Sequence, residues 1–310
     1  MTPYIAGDDV PPLHDLAGKI WIDGNIVAGS EANVHVLGHS SQYGETIFEG
    51  IRIYNGNPFL VEDHIERLFA GMAAYQYPYI PFTLAQISQA CVAVAAANGL
   101  TEGYIRPIAY LGSEDILVAG SRCKVHIAIA AVPLASVLDG DQALMLATQR
   151  RASARCMLVH TKSAAMFAAG RLAKLEALRR NFTDALFLDE MDRIADSTVT
   201  NIFFVAGHVL YTPPAENILP GITQRVVFKL ATILGFRVVI EHIMLDELGR
   251  FTEAFVCGTA AEIQVVTRIE QHIYARGPVA ALIIAAYVEL VLKSPAEVDR
   301  VLNEGVRAKM

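Results

Sequence analysis

The order of apolar and polar positions switches repeatedly between a period of two and a period near 3.6, which predicts strands and helices mixed along the chain. Residues 1–18 are rich in Pro and Asp and predict an extended arm. Lys19 to Val27 reads as a hairpin, two alternating runs around Asp23-Gly24. Asn33 to Leu37 alternates again and predicts a strand, and Thr46 to Tyr54 is a further β-rich run. Leu60 to Tyr75 has helical period, with Ile65, Leu68, Phe69 and Met72 on one face. Thr83 to Asn98 predicts a second helix, stopped by Gly99. Glu102 to Leu111 and Lys124 to Val132 read as strands on either side of a long loop, 112–123.

The second half has its own pattern. Leu144 to Gln149, Ala185 to Leu188, Asn201 to Val205, Arg237 to His242 and Ala254 to Cys257 predict strands. Met166 to Arg180, Ile222 to Leu234 and Pro278 to Leu292 predict helices, with Leu245 to Gly249 a short one. Arg179-Arg180 suits the negative end of the helix dipole. The organisation expected is a small α+β domain over 1–133 with an N-terminal arm, a linker over 134–141, and a larger domain over 142–310.

Composition narrows the class. The chain has 310 residues, 53% hydrophobic and only 18% charged, with a mean hydropathy of +0.37. Such an apolar chain must bury much surface in its cores or in a subunit interface. The net charge is −7 and no Lys/Arg run stands out, which argues against a nucleic-acid partner. Cys91, Cys123, Cys156 and Cys257 are widely spaced, so they read as free, mostly buried thiols of a reducing compartment. The acidic N-terminus does not read as a signal peptide. Pro278 to Leu292 contains Glu289 and is too short to span a bilayer. The expectation is a soluble cytoplasmic protein without a membrane partner. His35 and His39 have no third ligand at metal spacing, so no metal is expected.

Lys162 is the first candidate for chemistry. It sits in Cys156-Met-Leu-Val-His-Thr-Lys-Ser-Ala-Ala-Met-Phe167, with no carboxylate before Glu176. A lysine in apolar surroundings holds its ammonium form poorly and becomes a nucleophile suited to a Schiff base. On local context alone the plainer reading prevails, a lysine whose head group snorkels to water. Two stretches look built for a phosphate. In Leu219-Pro-Gly-Ile-Thr-Gln224, Gly221 opens a helix whose first N–H groups and Thr223 hydroxyl point at one spot. In Cys257-Gly-Thr-Ala-Ala-Glu262, Thr259 is a donor on a small-residue turn, although Thr259 to Glu262 also fits a capping box. Arg67 is a candidate cation, or else a solvated surface arginine paired with Asp63. Asp196 could hold a ring nitrogen protonated, or be only a turn-forming residue. A Schiff-base lysine, two phosphate turns and a carboxylate are together the needs of pyridoxal 5′-phosphate.

Five motifs in unbroken order then carry a resemblance: Tyr43-Gly-Glu-Thr-Ile-Phe-Glu-Gly-Ile-Arg52, His64-Ile-Glu-Arg67, Tyr104-Ile-Arg106-Pro, Leu219-Pro-Gly-Ile-Thr223 and Cys257-Gly-Thr-Ala-Ala-Glu262. From about Trp21 to Val291 the chain resembles the fold-type IV, or class IV, aminotransferases, in particular the branched-chain amino-acid aminotransferases. The resemblance implies a two-domain α+β fold like that of D-amino-acid aminotransferase, with a large pseudo-barrel domain and pyridoxal 5′-phosphate as cofactor. It implies Lys162 as the Schiff-base lysine and proton carrier. Arg67, Gly221, Ile222, Thr223 and Thr259 would hold the phosphate, and Asp196 would face the pyridine nitrogen. Tyr104, Arg106, Thr259 and Ala260 would bind a substrate carboxylate, and Tyr43 and Phe48 would line the side-chain pocket. It also implies a homodimer or larger, in which a loop of one subunit completes the other's site.

Three departures qualify it. The family glutamate is Asp196, one methylene shorter. The family tyrosine at the cofactor's phenolate oxygen is Phe167, a loss that should raise the pKa of the Schiff base. The 112–123 loop lacks the glycine-rich pattern of branched-chain enzymes. The expected activity is amino transfer from a branched-chain or hydrophobic L-amino acid to 2-oxoglutarate. The alternatives are a 4-amino-4-deoxychorismate lyase, a D-amino-acid or amine transaminase, or a cofactor-binding relic without activity.

Overall fold

The computed structural model describes residues 18–136 and 140–307. The expected N-terminal arm and part of the expected linker lie outside the described residues. The chain divides into two compact units, and the division does not follow chain order: Thr161–Ala165 belong with the residues up to Ala135.

The N-terminal unit is built on seven strands: β1 (Lys19–Ile22), β2 (Asn25–Ala28), β3 (Ile47–Phe48), β4 (Ile51–Tyr54), β5 (Asn57–Pro58), β6 (Gly103–Leu111) and β7 (Val125–Val132). Their order is β2-β1-β7-β6-β4-β5, with β3 also paired to β6. Two helices follow β5, Val61–Ala74 (α1) and Leu84–Ala97 (α2). Thr83 starts α2 as expected, its hydroxyl accepting from the Gln86 N–H. Both helices bury their apolar stripes with Ile105, Ile127 and Ile129 of the sheet. Gly71 on α1 allows a close approach, since a Cβ there would lie 2.7 Å from a methyl of Ile47.

The predicted strand over Asn33 to Leu37 does not form. That stretch is loop and turn. Alternation specifies a strand only where one face is buried, and here Val34, Val36 and Leu37 are all exposed. A short helix, His39–Tyr43, follows it.

The C-terminal unit carries nine strands, of which eight run in the order β10-β9-β8-β15-β14-β11-β12-β13. They are β8 (Gln142–Leu146), β9 (Asp184–Leu188), β10 (Ile194–Ser197), β11 (Asn201–Ala206), β12 (Val209–Thr212), β13 (Arg237–Ile240), β14 (Glu253–Gly258) and β15 (Glu262–Ile269). A ninth, His272–Ile273, pairs with β15. Helices run over Phe167–Arg179 (α3), Ile222–Ile233 (α4), Pro278–Val291 (α5) and Pro295–Arg307 (α6). The strands β9, β11 and β14 are buried along almost their whole length, which explains their continuous apolar runs. β15 and α6 were not read from the sequence. The alternative reading of Thr259 to Glu262 as a capping box is corrected here: the stretch is the β14–β15 turn, and Glu262 opens a strand instead of closing a helical turn. Among the described residues no helix is long and apolar enough to cross a membrane, and no cluster of side chains could hold a metal.

Candidate active site

In the N-terminal unit, strand register gathers the candidates. β6 alternates, so Ile105 enters the core while Tyr104 and Arg106 share the opposite face. Phe48 pairs with Ile108, two residues further along, and so stands on that face too. The Arg106 guanidinium lies over the Phe48 ring at 4.8 Å and over the Tyr104 ring at 5.2 Å.

Thr161–Ala165 then extend this sheet. Ser163 bridges Ile47, the Phe48 N–H donates to the Lys162 carbonyl at 3.1 Å, and the Ala164 N–H donates to Thr46 at 2.8 Å. The Tyr75 hydroxyl donates to Ser163 Oγ at 2.9 Å and fixes the segment from the helix side. Lys162 is thereby the cross-strand neighbour of Phe48, and its Nζ lies 5.2 Å from the Phe48 ring centroid. One aromatic ring carries two cations within cation–π range.

A buried carboxylate lies next in sequence. Glu49 accepts from Arg67 Nε at 2.6 Å and Nη2 at 3.0 Å, a bidentate fork. It also takes the Nδ1–H of His64 at 2.7 Å, since a carboxylate can only accept. Burial would raise the Glu49 carboxyl, but Arg67 and His64 overrule it and hold it well below the usual range. Burial lowers His64, against the opposing pull of Glu49. The alternative reading of Arg67 as a solvated surface arginine is corrected, because its side chain is only 16% exposed. Gly50 is required for Tyr104: a Cβ there would fall 1.6 Å from the Tyr104 hydroxyl. Burial pushes the Tyr104 phenol up, which keeps it a donor. Tyr43 is exposed, and its hydroxyl donates to Ile116 of the 112–123 loop at 2.9 Å.

In the C-terminal unit the gathering point is the link between β10 and β11. Asn201 pairs with Cys257, just before Gly258 and Thr259. Its side-chain amide donates to the Leu219 carbonyl at 3.1 Å, and a Cβ on Gly221 would fall 2.1 Å from its Oδ1. Asn201 therefore joins the two turns the sequence offered for a phosphate. Gly221 caps α4 with extended backbone, so the first N–H groups of the helix, from Ile222 and the buried Thr223, point outward. Thr259 and Ala260 lie on the neighbouring hairpin turn. Phe167 is the first residue of α3, whose Gly170 passes close to the Thr198 carbonyl.

Asp196 lies on β10 and is buried. Its Oδ2 accepts from Arg151 Nη2 at 2.9 Å. Its Oδ1 is buried with no hydrogen-bond partner among the described residues. Burial pushes its carboxyl up to about 6, against the opposing pull of Arg151.

Sequence reasoning missed Glu49, Arg151 and Asn201. Glu49 lay inside a quoted motif but was given no role. Arg151 and Asn201 follow no spacing rule, and only the fold brings them to their partners.

With this geometry in place, the chain can be assigned: it belongs to the class IV aminotransferases, whose family model matches residues 46–269. Its relatives narrow the group. It is 34% identical over 292 residues to the branched-chain-amino-acid aminotransferase of Pseudomonas aeruginosa, covering 90% of this chain and 94% of that one. It is 33% identical to the branched-chain aminotransferase of Thermoproteus uzoniensis solved with norvaline, at a TM-score of 0.86 over 90% of this chain and 96% of that one. The T.th. branched-chain enzyme solved with N-(5′-phosphopyridoxyl)-L-glutamate superposes at a TM-score of 0.87 and 31% identity, over 91% of this chain and 97% of that one. The expected two-domain α+β fold of fold-type IV enzymes is therefore the fold of this chain, which is an aminotransferase.

The buried Asp196 yields a pH prediction for the chain without cofactor. Between the ordinary aspartate value and about 6 the folded chain holds a proton that the unfolded chain releases. Raising pH through this window costs stability, about 3 kcal/mol in all, and the cost is absent below the window. Asp196→Asn removes the titration and leaves Arg151 with a neutral acceptor, a change that does not depend on pH. The stability of the variant relative to the native chain should therefore rise by about 3 kcal/mol between about pH 4 and pH 8. Urea denaturation at the two pH values measures this, and a pH-independent difference would contradict it.

Proposed function

We propose that this aminotransferase moves the amino group of a branched-chain or other hydrophobic L-amino acid to 2-oxoglutarate, working with pyridoxal 5′-phosphate. The observation that carries the reading is the face shared by Lys162, Phe48, Tyr104 and Arg106. It sets an amine, an apolar ring and a carboxylate-binding guanidinium side by side.

The residues fit the cofactor. A protonated pyridine nitrogen would satisfy Asp196 Oδ1, whose isolation is otherwise costly. In the C-terminal unit the α4 N-terminus and the Thr259 turn offer N–H and hydroxyl donors to a phosphate dianion; in the N-terminal unit Arg67 is the candidate cation. Bound there, the cofactor supplies an electron sink and a carrier for the amino group. Lys162 carries a proton to and from the substrate Cα. In the N-terminal unit Arg106 binds the substrate carboxylate, with Tyr104 as a second donor; in the C-terminal unit Thr259 and Ala260 are candidate backbone donors to an anion. Phe48 and Tyr43 present apolar surface to the substrate side chain. Asp196 keeps a proton on the ring nitrogen. Phe167 brings no hydroxyl to the phenolate oxygen. The norvaline and phosphopyridoxyl-glutamate held by the two solved relatives support a site that takes both a hydrophobic and an acidic amino acid.

We also propose that a second copy of this chain covers the exposed apolar run of Val34, Val36, Leu37, Ile116, Leu117 and Val118. The helix that follows its first segment holds the second one, through bonds from Tyr43 to Ile116 and from His39 to Leu117.

Two experiments test these readings. Purified protein loaded with cofactor should form the corresponding 2-oxo acids from leucine, isoleucine and valine, up to one equivalent per site alone and catalytically only when 2-oxoglutarate is present. Turnover of D-alanine, or pyruvate release without an acceptor, in place of that activity would overturn the substrate assignment. For the assembly, sedimentation should give a dimer or larger, and Val36→Asp with Val118→Asp should shift it to monomer. A native monomer would sink the interface.

A further inference from the structure

We infer that Arg151 is a positioning residue for the cofactor's ring nitrogen: it grips one oxygen of Asp196 so that the other is presented to the ring. This rests on the reading of Asp196 above and goes beyond it.

The arginine is itself tightly placed. Its N–H donates to the Leu188 carbonyl of β9 at 2.8 Å. Its guanidinium lies over the Phe187 ring at 5.2 Å from the centroid, and its side chain is only 9% exposed. It reaches Asp196 through Nη2 alone, at 2.9 Å to Oδ2. A fork would occupy both carboxylate oxygens; here Nε is buried without a partner among the described residues, and Oδ1 is left over. Pairing with one oxygen fixes the plane and direction of the carboxylate while leaving the other oxygen to accept.

Charge points the same way. Arg151 favours the ionised form of Asp196, whereas burial and the nearby carboxyl of Asp184 favour the neutral one. Without Arg151 only a backbone hydrogen bond, the smallest of the influences, still favours the charge, and a neutral carboxyl is a weaker partner for a pyridinium than a carboxylate is.

The test compares two probes, pyridoxal 5′-phosphate and its deaza analogue with CH in place of the ring nitrogen. Equilibrium dialysis of the full chain stripped of cofactor gives the affinity for each. The native chain should prefer pyridoxal phosphate by about tenfold to a hundredfold, the worth of one hydrogen bond to a charged group. In Arg151→Gln this preference should collapse, mainly through weaker binding of pyridoxal phosphate, and Arg151→Lys should restore part of it. If Arg151→Gln does not fold, Arg151→Met keeps the apolar stem and gives the same reading. A native preference in the Gln or Met variant, or an equal loss for both probes, overturns the role of Arg151. A native chain with no preference between the probes overturns the reading of Asp196 instead.

Discussion

The arrangement in the N-terminal unit depends on one backbone pairing, the addition of Thr161–Ala165 to the edge of β3. Side chains alternate across a strand, so a shift of one residue would turn Lys162 to the opposite face. The observed register puts Lys162 opposite Phe48, and the β3–β6 register puts Phe48 beside Arg106. Three residues from distant parts of the chain thus meet through backbone hydrogen bonds, and no direct bond among their side chains is needed. The Tyr75–Ser163 bond resists slippage from the other side.

The two units balance charge differently. In the N-terminal unit the buried carboxylate of Glu49 is saturated by a fork from Arg67 and a bond from His64, while Lys162 and Arg106 stand at the Phe48 ring. This suits anionic ligands, because the carboxylate that anchors Arg67 is itself fully engaged. In the C-terminal unit the anion, Asp196, is only half engaged by its arginine. A half-engaged buried carboxylate costs stability in the empty protein and offers a strong acceptor to a bound cation.

Much of this was legible in the sequence and some was not. The period of two in β6 and β7 and the helical stripe of α1 were clear because each buries one face against one core. The false strand at Asn33 to Leu37 shows the limit of that rule: the alternation is real, but no core meets it. The motif residues were legible singly, and their grouping was not, because grouping depends on register and on long-range partners. Lys162 is the sharpest case. Its local context describes a snorkelling lysine, and its neighbours Phe48 and Arg106 lie more than fifty positions away. Glu49, Arg151 and Asn201 were silent for the same reason, each being defined by what it holds.

The central claim is that Lys162 is the residue that takes the cofactor. Borohydride reduction of the purified protein in the presence of pyridoxal 5′-phosphate, followed by peptide mapping in a mass spectrometer, tests it directly. The expected result is one stoichiometric phosphopyridoxyl group, on Lys162. A stoichiometric group on any other lysine, with Lys162 unmodified, would contradict it.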